Sequence, residues 1–264
     1  MQKLKFYQVD AFTGRLFGGN PAAVCLPAVW PADPLMQQIA TENNLSETAF
    51  VVRRGDDYEI RWFTPTVEVD LCGHATLASA FVIFNHCDFR GKEIRFHSPR
   101  SGELKVRQEG KKLFLDFPAD EIFPVDPASV TSLGIGRAPL ELYRGKTDYM
   151  AVLGSEEEVR AILPDFPAVG KLDARGLIVT APGDNVDFVS RFFGPQSGVD
   201  EDPVTGSAHT TLIPYWAARL GNPALTALQV SKRIGTIDCY NKPPRVIIGG
   251  EARLYAMGEM FLPE

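Results

Sequence analysis

Apolar and polar residues alternate in short runs along much of this 264-residue chain. Alternation with a period of two is typical of strands that have one buried face. In the first half, the pattern predicts strands at 3–9, 22–26, 49–53, 58–63, 93–97 and 111–117. In the second half, it predicts strands at 140–143, 149–152, 177–181, 187–193, 229–231, 236–240, 245–249 and 253–257. Strands should therefore dominate the fold.

Two stretches between these strands have the signals of short surface helices. Asp33 followed by Pro34 predicts a helix start, because an acidic residue caps the end and proline suits the first turn. This helix should run to about Asn43. A shorter helix is predicted at 155–163, with Ser155 as its cap.

Two further helices should be buried. The run at 75–84 is apolar around its whole circumference, which is typical of a helix enclosed by the core. The run at 210–220 has the same character, although Pro214 should kink it or remove one hydrogen bond, and Gly221 ends it. Because mostly strands surround both runs, the economical arrangement is a curled sheet around each helix.

A short motif precedes each apolar helix. One copy reads DLCGHAT at 70–76, and the other reads DPVTGSAH at 202–209. Alignment on their glycines sets three pairs in equivalent positions: Gly73 and Gly206, Cys72 and Thr205, His74 and Ser207. Because the copies lie in opposite halves, we expect two similar lobes, 1–118 and 119–264, with a site between them. The last strand is able to return to the first lobe, and the proline-rich stretch at 117–127 is the crossover between the lobes.

Composition narrows the possible functions. An apolar content of 45% supports a real core and argues against disorder. A net charge of -6 and a pI near 5.4 argue against a nucleic-acid partner. The four cysteines show no CxxC spacing, which makes zinc and redox sites weak hypotheses and is typical of a reduced cytoplasmic protein. No signal peptide or membrane span is indicated. We therefore expect a cytoplasmic protein without a metal ion and without nucleic-acid or membrane partners.

The two motif glycines indicate a possible anion site. The start of a helix offers backbone N–H groups and the positive end of the helix dipole. Gly73 and Gly206 lack side chains, so a ligand can approach the backbone closely. Such a place binds a substrate carboxylate or stabilises an enolate-like anion. Singly, each glycine is better explained by a tight turn, but the matched pair favours the functional interpretation.

Four polar side chains are candidates for the chemistry. His74 titrates near neutral pH and could shuttle a proton, and Ser207 occupies the equivalent place. Asp202 either caps a helix that starts at Pro203 or takes part in catalysis, and the spacing supports both. Glu47 stands where a polar turn enters an apolar strand. Partial desolvation there favours the neutral carboxyl and suits a general acid/base, although an isolated glutamate in a turn is usually just exposed.

Several segments, in order along the chain, closely resemble the PhzF phenazine-biosynthesis isomerase family. They are FGGNPAAV at 17–24, NLSETAF at 44–50, DLCGHAT at 70–76, EDPVTGSAH at 201–209 and QVSKR at 229–233. The resemblance covers almost the whole chain. It implies the diaminopimelate epimerase-like fold, an α+β fold of two pseudo-symmetric lobes, each a barrel-like sheet around a central helix. It also implies a homodimer.

The same resemblance implies a cofactor-independent isomerase that acts on a small carboxylate. In the phenazine enzymes the reaction is a hydrogen shift in dihydro-3-hydroxyanthranilate. Glu47 is then the principal acid/base, with His74, Asp202 and Ser207 as polar partners. The implied substrate-binding residues are Asn20 and Ser46, together with the backbone donors Gly73 and Gly206.

The chain departs from the related folds at two positions. Epimerases of this fold use a cysteine in each lobe, but the counterpart of Cys72 is Thr205, which disfavours racemisation by two thiols. Ile234 stands where the family often has glycine, which leaves the substrate open. The alternatives are an amino-acid racemase or epimerase, which would exchange a proton at an α-carbon, and a non-catalytic binding protein. The complete set of four polar residues argues against the latter.

Overall fold

The computed structural model describes residues 2–130 and 132–263, in which strands outnumber helices. The strands, in chain order, are β1 Gln2–Ala11, β2 Asn20–Cys25, β3 Glu47–Arg54, β4 Asp57–Phe63, β5 Glu68–Val69, β6 Glu93–Ser98, β7 Gly102–Glu109, β8 Lys112–Pro118, β9 Phe123–Pro124, β10 Glu141–Arg144, β11 Asp148–Val152, β12 Gly176–Pro182, β13 Phe188–Gly194, β14 Val199–Asp202, β15 Ala224–Gln229, β16 Gly235–Lys242, β17 Arg245–Gly250 and β18 Ala252–Leu262. The helices are α1 Asp33–Asn43, α2 Gly73–His86, α3 Glu156–Arg160, α4 Phe166–Val169 and α5 Ala208–Leu220.

The predicted helices are confirmed, with corrections at their ends. α1 has the predicted bounds, but Ala32 is its N-cap, and Asp33 lies inside the first turn. α3 is capped as expected, since the Ser155 hydroxyl accepts from the N–H of Glu158 at 3.2 Å. The two motif copies differ, because α2 begins at Gly73 itself whereas α5 begins two residues after Gly206.

Several strands were missed by the alternation pattern. β7 was overlooked although Leu104 and Val106 are buried between charged residues, and it pairs antiparallel with β6 and β8. β9 lies within the predicted crossover and pairs with β10. β14 precedes the second motif and pairs with β13. β9 and β14 are short and lack an alternating pattern, so they depend on hydrogen bonds to neighbouring strands.

The chain divides into two compact units. The first comprises the described parts of Met1–Asp116 and Gly249–Glu264, and the second is Phe117–Ile248. The final strand, β18, therefore belongs to the first unit. There it pairs antiparallel with β1 along almost its whole length.

The first unit contains a mixed sheet and two helices. β1 pairs antiparallel with β2, and β2 pairs parallel with β3. β3 pairs antiparallel with β4, and β4 pairs parallel with β6. α2 packs against β1, β2, β3 and β18, whereas α1 packs against β3 and β4. The core beside α1 consists of Leu4, Cys25, Met36, Ile39, Ala40, Phe50, Phe63 and Leu262.

The second unit has a comparable plan. β10 pairs antiparallel with β11, β11 parallel with β12, and β12 antiparallel with β13. β13 also pairs parallel with β15, which pairs antiparallel with β16. α5 packs against β15 and β16, while α3 packs against β12 and β13.

Each unit buries most of one apolar helix, as predicted. Ten residues of α2 and eight of α5 are buried. Only the final turns reach the surface, where Leu220 is 45% exposed. The structure thus confirms an α+β fold in which each unit combines a mixed sheet with a buried helix. None of the helices in residues 2–130 and 132–263 is long and apolar enough to cross a membrane.

Candidate active site

Glu47 and His74 meet in the first unit because two elements begin at the same place. Glu47 is the first residue of β3, and His74 is the second residue of α2, which packs against that strand. The distance from His74 Nε2 to Glu47 Oε2 is 3.0 Å. The His74 side chain is 2% exposed and that of Glu47 is 15% exposed, so the carboxylate retains limited access to solvent.

The opposite edge of the His74 ring faces Asn20 and Cys72. Asn20 Nδ2 lies 3.0 Å from His74 Nδ1, and Cys72 Sγ lies 3.5 Å from the same nitrogen. The amide nitrogen can only donate, so in neutral His74 the Nδ1 atom accepts and Nε2 carries the hydrogen. Nε2 is the ring nitrogen that lies near Glu47, although neither Nε2 nor Glu47 Oε2 has a hydrogen-bond partner among the described residues. Asn20, predicted to bind substrate, is fully buried and contacts the candidate catalytic histidine.

Neighbouring charges favour the imidazolium form of His74, whereas the Asn20 amide donor at Nδ1 fits only the neutral ring, and the Cys72 thiol is neutral. Burial opposes the imidazolium form of His74, but the neighbouring Cys72 and Glu47 groups favour it and prevail, so the pKa of His74 is raised well above its usual value. Burial, reinforced by Glu47, raises the pKa of Cys72 to about 11. Because the Cys72 thiol stays protonated at neutral pH, Glu47 is the neighbour that favours the imidazolium form of His74 at that pH.

The same three residues form a set that could hold a metal ion. Glu47, Cys72 and His74 each offer one ligand atom, and these atoms lie within 4.8 Å of one another. A carboxylate, an imidazole and a thiolate are all ligands of zinc. Coordination would require Cys72 to lose its proton, which its raised pKa resists.

The remaining predicted residues of the first unit lie next to this pair. Ser46 is partly buried in the bend immediately before β3. Gly73 is the first residue of α2, so its N–H belongs to the turn that has no acceptor within the helix. The first unit therefore brings together Asn20, Ser46, Glu47, Gly73 and His74.

A second polar cluster surrounds Asp202 in the second unit. The Thr205 hydroxyl donates to Asp202 Oδ2 at 2.6 Å. Gln229 bridges the same loop, since its Oε1 accepts from the N–H of Thr205 at 2.8 Å and its Nε2 donates to the carbonyl of Asp202 at 2.8 Å. Thr205 is thus engaged with Asp202 at the position where a two-thiol racemase would need its second cysteine.

One interpretation of Asp202 is wrong. Asp202 is the last residue of β14, and the following helix starts at Ala208 rather than Pro203, so the carboxylate does not cap a helix that begins with proline. Its side chain instead organises the loop between β14 and α5 through Thr205. Gly206 lies buried in that loop, and its carbonyl accepts from the N–H of His209 at 3.1 Å.

Ser207 stands at the start of α5 and is held by an arginine. Arg175 Nη1 donates to Ser207 Oγ at 2.9 Å, and Arg175 also binds both carboxylate oxygens of Asp148. Sequence reasoning missed Arg175 and Asp148, because neither lies in a motif. Gln229 had a weak signal, since it opens a segment that resembles the family.

Ile234 occupies a backbone conformation that favours glycine. Its φ is 45°, and its N–H closes a turn by donating to the carbonyl of Ser231 at 3.1 Å. A β-branched residue is strained in this left-handed region. The Ser231 hydroxyl in turn donates to the carbonyl of Asp202 at 3.2 Å. The strained turn therefore adjoins the Asp202 cluster.

His209 is a buried neutral histidine rather than a candidate catalyst. Its Nδ1 lies 2.9 Å from the carbonyl of Thr205, so Nδ1 carries the hydrogen. Burial lowers the pKa of His209 to about 4, from the usual 6.5. Its ring packs against Phe188, with ring centroids 6.0 Å apart.

Acidification should therefore destabilise the protein through His209. Between its unfolded and folded pKa values, 6.5 and about 4, the unfolded chain binds the proton and the folded chain does not. The free energy of unfolding should fall by about 2 kcal/mol from neutral pH to about pH 5 on account of this residue. Urea denaturation at several pH values measures the effect. His209→Asn, which keeps a donor near Thr205 but does not titrate, should flatten this part of the profile. Identical pH profiles would contradict the assignment.

Cysteine labelling should distinguish Cys87 from Cys72. Cys87 is partly exposed, whereas Cys25, Cys72 and Cys239 are buried. The thiolate is the reactive form, so at neutral pH iodoacetamide should modify Cys72 at least about tenfold more slowly than Cys87 in the native protein. Mass spectrometry of the labelled peptides gives both rates. Denaturation in urea should bring the rates together, and equal native rates would show that Cys72 is an activated thiol.

Comparison with known proteins agrees with this architecture. The family profile PhzC-PhzF, phenazine biosynthesis-like protein, matches residues 9–258. A Pseudomonas aeruginosa protein named as an uncharacterized isomerase is 53% identical over 262 residues, covering 98% of this chain and 99% of that protein. The crystal structure of a PhzF family protein from Enterococcus faecalis has a TM-score of 0.92 at 49% identity, covering 99% of this chain and 100% of the other.

An epimerase of known structure has a similar fold. A hydroxyproline epimerase from Agrobacterium vitis has a TM-score of 0.60 at 10% identity, covering 97% of this chain and 92% of the other, which shows a shared fold alone. The profile match and the close relatives establish that this chain belongs to the phenazine biosynthesis-like PhzC/PhzF family. The isomerase names of the relatives support an isomerase role.

Proposed function

We propose that the protein is a cofactor-independent isomerase that moves a proton within a small cyclic or amino-bearing carboxylic acid. The observation that carries this proposal is the buried pairing of Glu47 Oε2 with His74 Nε2 at 3.0 Å. A carboxylate with limited solvent access beside a histidine is suited to general acid/base catalysis. The isomerase names of the close relatives support the same class of reaction.

In the proposed reaction, the Glu47 carboxylate takes a proton from a carbon of the substrate. The electron pair of the broken C–H bond forms a new C=C bond, the π pair of the adjacent substrate double bond moves one position along, and the carboxyl C=O pair moves onto oxygen to give an enolate. Glu47, now a carboxylic acid, returns a proton to a different carbon, and the double bond shifts. His74 Nε2 lies 3.0 Å from Glu47 Oε2 and places positive charge beside the carboxylate when the ring is protonated, while Asn20 contacts the ring from the other side.

The second unit is proposed to contribute Asp202 and Ser207 as polar partners. Asp202 is fixed by Thr205, and Ser207 is fixed by Arg175. Because Thr205 donates its hydroxyl to Asp202, it is poorly placed to act as a second base. The neutral Cys72 thiol also fits poorly with racemisation by two thiolates.

The proposal is tested by turnover in D₂O. The protein is incubated with a panel of small cyclohexadiene, aromatic and amino-bearing carboxylic acids, and NMR follows the position of the C–H groups and of deuterium. The expected result is a product with a displaced double bond and hydrogen at a new carbon. Deuterium at an α-carbon with inversion would instead indicate a racemase, and binding without any chemical change would indicate a binding protein.

A further inference from the structure

Arg175 lies between a buried carboxylate and Ser207. It directly precedes β12, whose first residue, Gly176, is in register with Asp148 at the start of β11. Arg175 Nε donates to Asp148 Oδ1 at 2.9 Å, and a second guanidinium N–H donates to Oδ2. Nη1 donates to Ser207 Oγ at 2.9 Å. One side chain therefore links β11 to the start of α5.

The direction of this guanidinium is strongly constrained. Asp148 is 3% exposed, so its carboxylate cannot exchange Arg175 for water without a large cost. The two parallel hydrogen bonds fix the plane of the guanidinium. Phe192 lies against it, with 5.1 Å from the guanidinium carbon to the ring centroid. The N–H that faces Ser207 is therefore preorganised.

This arrangement determines whether the Ser207 hydroxyl donates or accepts in its hydrogen bond with Arg175. A guanidinium only donates hydrogen bonds, so Ser207 Oγ must be the acceptor. The hydroxyl hydrogen is then directed to another partner. We propose that Arg175 is a positioning residue that makes Ser207 a hydrogen-bond donor to the carboxylate group of the ligand. This inference rests on the proposed function, in which the ligand is a small carboxylate.

Arg175 should act on the ligand through Ser207 rather than through its own charge. The Asp148 carboxylate compensates the positive charge of Arg175 at hydrogen-bond distance. Little net charge remains to attract an anion over a distance. If this is the mechanism, removing Arg175 lowers the affinity for the carboxylate ligand only while Ser207 is present. The two substitutions should then be strongly non-additive.

Titration calorimetry with 2-aminobenzoate and related ring carboxylates tests this coupling. Arg175→Ala and Ser207→Ala should each weaken binding about tenfold, the effect of losing one hydrogen bond to a charged group. The double variant should bind no more weakly than Ser207→Ala alone. Arg219→Ala is the matched control, because Arg219 lies at the far end of α5 and pairs with Glu141. It should leave the affinity unchanged.

Chemical rescue separates positioning from a structural role. Guanidinium ion at low millimolar concentration should restore carboxylate affinity to Arg175→Ala by occupying the vacated place beside Asp148. It should not do so for the double variant, and an equal concentration of sodium chloride should have no effect. Additive losses, rescue in the absence of Ser207, or failure of the unchanged protein to bind any of the carboxylates would overturn the inference. Because only binding is measured, these outcomes are independent of whether Glu47 carries the proton.

Discussion

Glu47→Gln should abolish most turnover while leaving ligand binding nearly intact. Glutamine keeps the shape of the side chain, so an amide atom can occupy the place of Glu47 Oε2, 3.0 Å from His74 Nε2 in the parent protein. It cannot take a proton from carbon and return it. Loss of one acid/base group typically lowers the rate by about 10²–10⁴-fold. The turnover number on whichever carboxylate proves to be a substrate, measured beside calorimetric affinity, gives the result.

Glu42→Gln provides the matched control for this experiment. Glu42 is exposed on α1, so the substitution removes the same charge without touching the cluster. Its turnover should equal that of the parent protein. Near-normal turnover in Glu47→Gln would refute the proposed proton carrier. A change in affinity alone would reassign Glu47 to substrate positioning.

Gly19→Ala should be severely destabilising and should also disturb the candidate site. The backbone of Gly19 has a φ of +58°, and a Cβ there would lie 2.0 Å from the carbonyl oxygen of Ala11. That oxygen belongs to a paired strand and cannot move freely, since Ala11 is in register with Asn20. Left-handed strain alone costs about 1–2 kcal/mol, so with the clash we expect a loss of about 3 kcal/mol or more in the free energy of unfolding.

Gly55→Ala separates the clash from the backbone strain. Gly55 has a similar φ of +64°, but a Cβ there would meet no atom within 4 Å. The free energy of unfolding of Gly55→Ala should therefore fall only by the cost of the left-handed backbone conformation. Urea denaturation measures both variants. In addition, Gly19→Ala should lose turnover under conditions where it remains folded, because the displaced Asn20 no longer holds His74. Equal destabilisation of the two variants would show that the Ala11 contact relaxes without cost.

Local sequence patterns predict much of the fold. α1 was predicted with its observed start and α2 to within two residues, because Pro34 indicates a helix start and the fully apolar stretch after Gly73 indicates a buried helix. α5 ends where Gly221 adopts a left-handed conformation, with a φ of 65°. Strand positions were less certain, since β9 and β14 are stabilised by pairing with neighbouring strands rather than by their own sequences.

The sequence by itself also identified Glu47 and His74 as candidates, because their motifs resemble those of a family. It did not predict that Asn20 would face the histidine ring, or that Asp202 would bind Thr205 instead of capping a helix. Arg175 and Ser207 lie 32 positions apart and are joined by a hydrogen bond, while the register of β11 with β12 brings Arg175 to Asp148. Helix starts depend on neighbours a few residues away, whereas side-chain partners depend on the register and packing of distant segments, so those partners were decided only by the tertiary structure.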